Sequence, residues 1–102
     1  MAKVLVLYKT PTDPAAFDKY YATIHIPLAK QIPGLKRYDV STGAVRTPTG
    51  PSGVHLAAEL NFDSFDALAA GMASPQGQAT AADLPNFATG GVDLYLYDSK
   101  EV

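Results

Sequence analysis

Two side chains in this 102-residue chain ordinarily titrate near neutral pH, His25 and His55. His25 follows Tyr21 by four residues, so on a helix the two rings are neighbours. Pro27 has no backbone N–H to give, which leaves a carbonyl free one turn back. An imidazole at the lip of a loosened helix, beside aromatics, is a candidate general acid or base. The alternative is an edge histidine that bonds the Thr23 region or water. His55 and Glu59 fall on the polar face of one strand. With His25 they could form a two-histidine, one-carboxylate set, but the spacing matches no ligand string, and no metal is expected.

Tyr8, Tyr21 and Tyr38 come from three elements that adjoin in the topology argued below. They are expected to line an aromatic cavity between helix and sheet, the usual make-up of a small-molecule pocket. Tyr20, Tyr95 and Tyr97 read as packing residues whose hydroxyls find local partners. Asp83 either bonds a nearby backbone N–H or reaches the cavity mouth. Gly90-Gly91 is a turn, since no G-x-G-x-x-G accompanies it and no helix follows. The chain contains no cysteine, which removes thiolate chemistry, disulfides and cysteine-held metals, and suits a reducing cytoplasm. No Ser-His-Asp order, phosphate loop or basic-aromatic stripe is present, and no cofactor is implied.

The elements that must position these residues follow from periodicity. Lys3–Lys9 is apolar on both faces, with Val4, Val6 and Tyr8 against Leu5 and Leu7, and predicts a strand covered on both sides. Asp13 and Pro14 form a cap-and-proline start for a helix to about Gln31. Phe17, Tyr20, Tyr21, Ile24 and Leu28 form its stripe, and Pro27 should kink or loosen it. Pro33-Gly34 ends it. Leu35–Val45 predicts a second strand with Tyr38 and Val40 on one face, and Thr47–Gly53 a loop. Val54–Phe62 alternates strictly and predicts a third strand. Asp63 or Ser64 should cap a helix to about Ala73 with Phe65, Leu68 and Met72 inward. Ser74-Pro75 should start a shorter helix to about Leu84. Ala88–Gly91 is a turn and Val92–Asp98 the last strand, with a short tail from Ser99.

The order β-α-β-β-α-β predicts an α+β, ferredoxin-like antiparallel sheet with helices on one face. The first and last strands are apolar on both faces, so something must cover the second one. A second copy, sheet against sheet, is the expected cover. The length allows one domain, residues 1–102. Charged residues are only 18% of the chain and the net charge is −2, which gives no footprint for nucleic acid. No run approaches the ~18 apolar residues of a membrane helix.

Phe17-x-x-Tyr20-Tyr21-x-x-x-His25-x-Pro27-Leu28, followed by Ile32-Pro33-Gly34-Leu35, resembles the EthD family. Asp83-Leu84-Pro85-Asn86-Phe87-Ala88-Thr89-Gly90-Gly91 resembles that family's closing segment. The resemblance implies a dimeric α/β barrel of two ferredoxin-like subunits. It carries the family's helix histidine onto His25, with Tyr20 and Tyr21 as aromatic neighbours. The expected function is a small cofactor-independent oxidoreductase, reductase- or monooxygenase-like, acting on an apolar, cyclic or aromatic carbonyl compound. His25 would be its acid/base, and Tyr8, Tyr21, Tyr38, Asp83 and Phe87 would line the substrate site. A lactone-isomerase-like enzyme, a non-catalytic binder of a hydrophobic ligand, and a helper subunit of a larger oxidative system remain alternatives.

Overall fold

A computed structural model describes residues 1–102. Six strands and four α-helices follow one another as β1 (Ala2–Lys9), α1 (Pro14–Tyr20), α2 (Ile26–Ala29), β2 (Leu35–Val40), β3 (Arg46–Thr47), β4 (Gly50–Pro51), β5 (Val54–Phe62), α3 (Phe65–Ala73), α4 (Pro75–Asp83) and β6 (Val92–Asp98). A π-turn, Tyr21–His25, joins α1 to α2, and a 3₁₀ turn, Leu84–Asn86, follows α4. The main sheet is antiparallel with order β2-β5-β1-β6. This is the ferredoxin-like α+β arrangement, with the first strand at the centre and the last at an edge. No helix is long and apolar enough to cross a membrane.

The core lies between the sheet and the helices. Val4, Val6 and Tyr8 of β1 pair in register with Leu60, Ala58 and Leu56 of β5, so their side chains share the helix side. Phe17, Tyr21 and Leu68 close over them. The helix starts follow the capping rules. Asp13 accepts from the Ala16 N–H at 3.1 Å and Ser64, rather than Asp63, from the Ala67 N–H at 3.1 Å. Ser74 serves two helices: its hydroxyl donates to the Gly71 carbonyl at 2.5 Å and accepts from the Gly77 N–H at 3.0 Å. α3 and α4 come so close there that a Cβ on Gly77 would lie 2.2 Å from the Gly71 carbonyl oxygen. Gly90 is required for the same reason, since a Cβ there would lie 2.1 Å from the Thr10 carbonyl oxygen.

Several sequence expectations need correction. β2 ends at Val40 instead of Val45, because the chain leaves the ladder after Ser41 and turns at Gly43, whose φ is +70°. The expected loop Thr47–Gly53 forms part of a small two-stranded ladder, β3 with β4. Phe65 is exposed, so α3 packs through Leu68 and, in part, Met72. His55 is not on the outer face with Glu59. The register of β5 against β1 steps from Leu56 opposite Tyr8 to Val54 opposite Lys9, leaving His55 as the extra residue of a bulge. The bulge turns its ring to the helix side, edge-on to Phe17 with centroids 4.9 Å apart, and its Nε2 lies 2.7 Å from Asp18. Glu59 pairs instead with Lys3 at 2.8 Å.

β6 exposes apolar side chains on both faces. Tyr95 and Tyr97 face outward beside Leu5 and Lys3, while Leu94 and Leu96 pair with Val6 and Val4 on the helix side. All four stay exposed, Tyr95 at 53% and Leu96 at 47%.

Candidate active site

The first helix answers Pro27 by widening. The Ile26 N–H donates five residues back to the Tyr21 carbonyl, which makes Tyr21–His25 a π-turn. The extra residue in that turn shifts the buried stripe. Phe17, Tyr21, His25 and Ala29 point inward at four-residue spacing, and Ile24 is rotated out to solvent. His25 therefore sits within the stripe and not at its edge, with only 3% of its surface exposed. Its ring lies between Phe87, with centroids 4.6 Å apart, and Tyr21, stacked at 5.3 Å and 26°.

Both imidazole nitrogens have partners. Nδ1 is 2.9 Å from Asp83 Oδ2 and Nε2 is 3.5 Å from the Tyr8 hydroxyl. Asp83 is the last residue of α4 and is 8% exposed. Its Oδ1 also accepts from the Tyr20 hydroxyl at 2.6 Å and the Asn86 amide at 2.9 Å. An ionised carboxylate only accepts, so the network puts the ring proton on Nδ1 and leaves the Nε2 lone pair toward Tyr8. Burial pushes His25 below its ordinary range, and Asp83 offsets only part of that. Burial works to raise the Asp83 carboxyl, but hydrogen bonds from Tyr20, His25 and Asn86 outweigh it and hold it below the usual range. The site thus rests as neutral imidazole on carboxylate.

His25 borders a small, partly open hollow of about 40 Å³, whose lining includes Val6, Leu60, Tyr8, Tyr21 and Tyr38. That is room for a water molecule and far less than a bound ring compound needs. Its lining contains no lysine, arginine or carboxylate. The Tyr21 and Tyr38 hydroxyls bond each other at 2.5 Å. Burial pushes the Tyr8, Tyr21 and Tyr38 phenols up, so all three remain protonated donors at neutral pH. Tyr38 also borders a second, open hollow of about 190 Å³ with Ile26, Lys30 and Val40.

The structure brings together His25, Tyr8, Tyr21 and Tyr38 at the cavity, and places Asp83 and Phe87 behind the imidazole. His25, His55 and Glu59 go to three separate partners, Asp83, Asp18 and Lys3. Sequence reasoning missed the roles of Tyr20 and Asn86. Asn86 stands three residues after Asp83 at a helix end, a spacing that allows contact. Tyr20 carries no such signal.

The shifts of His25 and Asp83 set a pH dependence of stability. As pH falls through about 6.5 the unfolded histidine binds a proton that the folded ring resists. The unfolded state then holds more protons, so stability is full above about 6.5 and drains as pH falls toward the folded midpoint. Asp83 acts in the same direction lower down: its contribution is present above about 3.9 and is lost as pH falls through its depressed folded value. Urea unfolding at pH 7.5 and pH 5 should therefore show a drop in stability for the native chain that is smaller for His25→Gln. Equal drops in the two proteins would contradict the assignment.

Residues 9–91 match the family model described as the EthD domain. The chain is 41% identical over 103 residues to an uncharacterized 11.0 kDa protein in the thcB-thcC intergenic region of Rhodococcus erythropolis, covering 100% of this chain and 98% of that one. It is 32% identical to an ethyl tert-butyl ether d (EthD) family protein from Bacillus halodurans, with a TM-score of 0.89 and coverage of 98% and 99%. SnoaB, a cofactor-independent oxygenase from Streptomyces nogalater, superposes with a TM-score of 0.68 at 17% identity, covering 99% of this chain and 94% of that one. A dimeric ferredoxin-like protein from Thermobifida fusca gives 0.68 at 18% identity over 94% and 88%. The last two likenesses bear on the fold alone. With its family model matched over most of its length and a relative above 40% identity matched end to end, the chain belongs to the EthD family.

Proposed function

We propose that this chain is a small cofactor-independent enzyme of the oxygenase type in which His25 is the general base for an apolar, cyclic or aromatic carbonyl compound. One observation carries the reading. A neutral imidazole, fixed through Nδ1 by an ionised Asp83, turns its Nε2 lone pair to the Tyr8 hydroxyl at a mostly apolar hollow that Tyr21 and Tyr38 also line. Such a nitrogen takes a proton from a carbon next to a carbonyl, and protonated phenols stabilise the enolate oxygen that results. Tyr8 is placed to give its hydrogen bond to that oxygen once a substrate displaces it from Nε2. The electron-rich enolate is then the partner for dioxygen. Return of the proton at another carbon would give the isomerase outcome from the same first step.

The resting hollow is too small for such a molecule, and Tyr38 offers the way in. Its ring borders both the small hollow and the open one at Ile26 and Lys30, and its hydroxyl is held by the bond to Tyr21. Rotation of its ring outward joins the two spaces.

The same reading includes a homodimer. The two-faced apolar strand β6 and the outward Leu5 and Tyr95 support a partner copy whose sheet faces this one and closes a barrel.

The reading is tested by screening lactones, quinones and polycyclic ketones for thermal stabilisation, then following each ligand that binds by NMR in D₂O and by oxygen uptake. Deuterium incorporation next to the carbonyl, with or without oxygen consumption, is the expected result. Ligands that bind tightly and exchange no proton would make the chain a binder.

A further inference from the structure

Asp83 has two donors besides His25, and both come from its solvent side. Tyr20 and Asn86 form part of the wall of an open cleft of about 230 Å³ shared with Thr12, Asp13 and Thr89. The small hollow is lined instead by Tyr8, the partner of the opposite ring nitrogen, Nε2. Tyr20 is five residues before His25, and in a regular α-helix those side chains diverge by about 140°. The π-turn begins at the residue after Tyr20 and removes much of that divergence, so that one carboxylate meets both. The Tyr20 ring is held by stacking on Phe87 at 5.4 Å and 21°. Its hydroxyl makes the shortest of the three bonds to Asp83, at 2.6 Å.

From this geometry we infer that Tyr20 is a positioning residue for the proposed base: its hydroxyl draws on the Asp83 carboxylate from the cleft side and limits what that carboxylate gives to His25, adding to the burial that keeps Nε2 free of a proton. The inference rests on the reading of His25 as the base, but its test needs no substrate. A carboxylate shares its charge among its donors. Removing the shortest bond leaves more for Nδ1, which favours the imidazolium. The titratable groups facing His25 are Asp83 from α4, Tyr8 from β1 and Tyr21 from its own turn, with Tyr38 of β2 behind Tyr21. None of them is cationic. The charged group sharing the cleft with Tyr20 is Asp13, whose carboxylate caps α1.

The experiment is ¹⁵N NMR of the imidazole through a pH titration, in a His55→Gln background so that a single ring is observed. Tyr20→Phe removes one oxygen and keeps the stack on Phe87. It is expected to move the His25 midpoint upward by about half a unit to one unit. Asn86→Ala should move it the same way and serves if Tyr20→Phe does not fold. A purely structural role for Tyr20 would leave the midpoint in place, and an unchanged or lower midpoint in a folded variant overturns the inference. The outcome is independent of turnover: if the midpoint rises while His25→Gln keeps full activity, the positioning role stands and the reading of His25 as base fails.

Discussion

His25→Gln is expected to cut kcat/KM by roughly 10²- to 10⁴-fold, the usual contribution of a positioned acid or base. The loss should appear in kcat with KM changed little, because glutamine keeps a polar group of similar reach toward Asp83 and the cavity walls are untouched. Asp83→Asn should lower kcat by a comparable factor for a different reason. An amide can offer the ring either its oxygen or its NH₂, so the Nδ1–H form is no longer enforced and the lone pair can leave the cavity. Steady-state kinetics on a ligand from the screen, with circular dichroism to verify folding, decides the matter. A folded His25→Gln with native kcat would sink the catalytic reading.

The second large effect concerns assembly. Tyr95→Glu combined with Leu96→Lys should convert a dimer to single subunits in analytical ultracentrifugation, with the native chain sedimenting at twice its mass. The two residues point to opposite faces of the exposed edge strand, so the double change reaches both. In a two-fold interface each substitution occurs twice. Four buried polar groups without partners, at about 2 kcal/mol each, weaken association by about 10⁶-fold. A native chain that sediments as a single subunit at micromolar concentration would refute the dimer and leave the bare strand without explanation.

How far the sequence could be read differs from residue to residue. The strict alternation of Val54–Phe62 and the double-sided β1 stripe are enough for the sheet, because period two is a direct image of the pleat. The Asp13-Pro14 and Ser74-Pro75 starts are equally direct. His25 was visible as chemistry and misplaced in space, since a 3.6-residue period cannot represent a turn that holds one residue more. His55 was misplaced by the same kind of event in a strand, a single extra residue that exchanges faces. The Asp83–His25 contact joins residues 58 apart, and no local pattern encodes it. The resemblance of the Asp83–Gly91 segment singled out that aspartate, while its partner had to be seen in three dimensions.

The placement of β1 has a consequence for how the chain is made. β1 leaves the ribosome before the other strands of its sheet and is a central strand of that sheet, flanked by residues 54–62 on one edge and 92–98 on the other. Its second edge has no partner until residues 92–98 have been synthesised. Closing a loop of that span is the slow, entropically costly kind of contact. The nascent sheet therefore carries an open, greasy ribbon until β6 emerges, and the Lys3 and Lys9 charges at its two ends are what it has in place to discourage pairing with a neighbour.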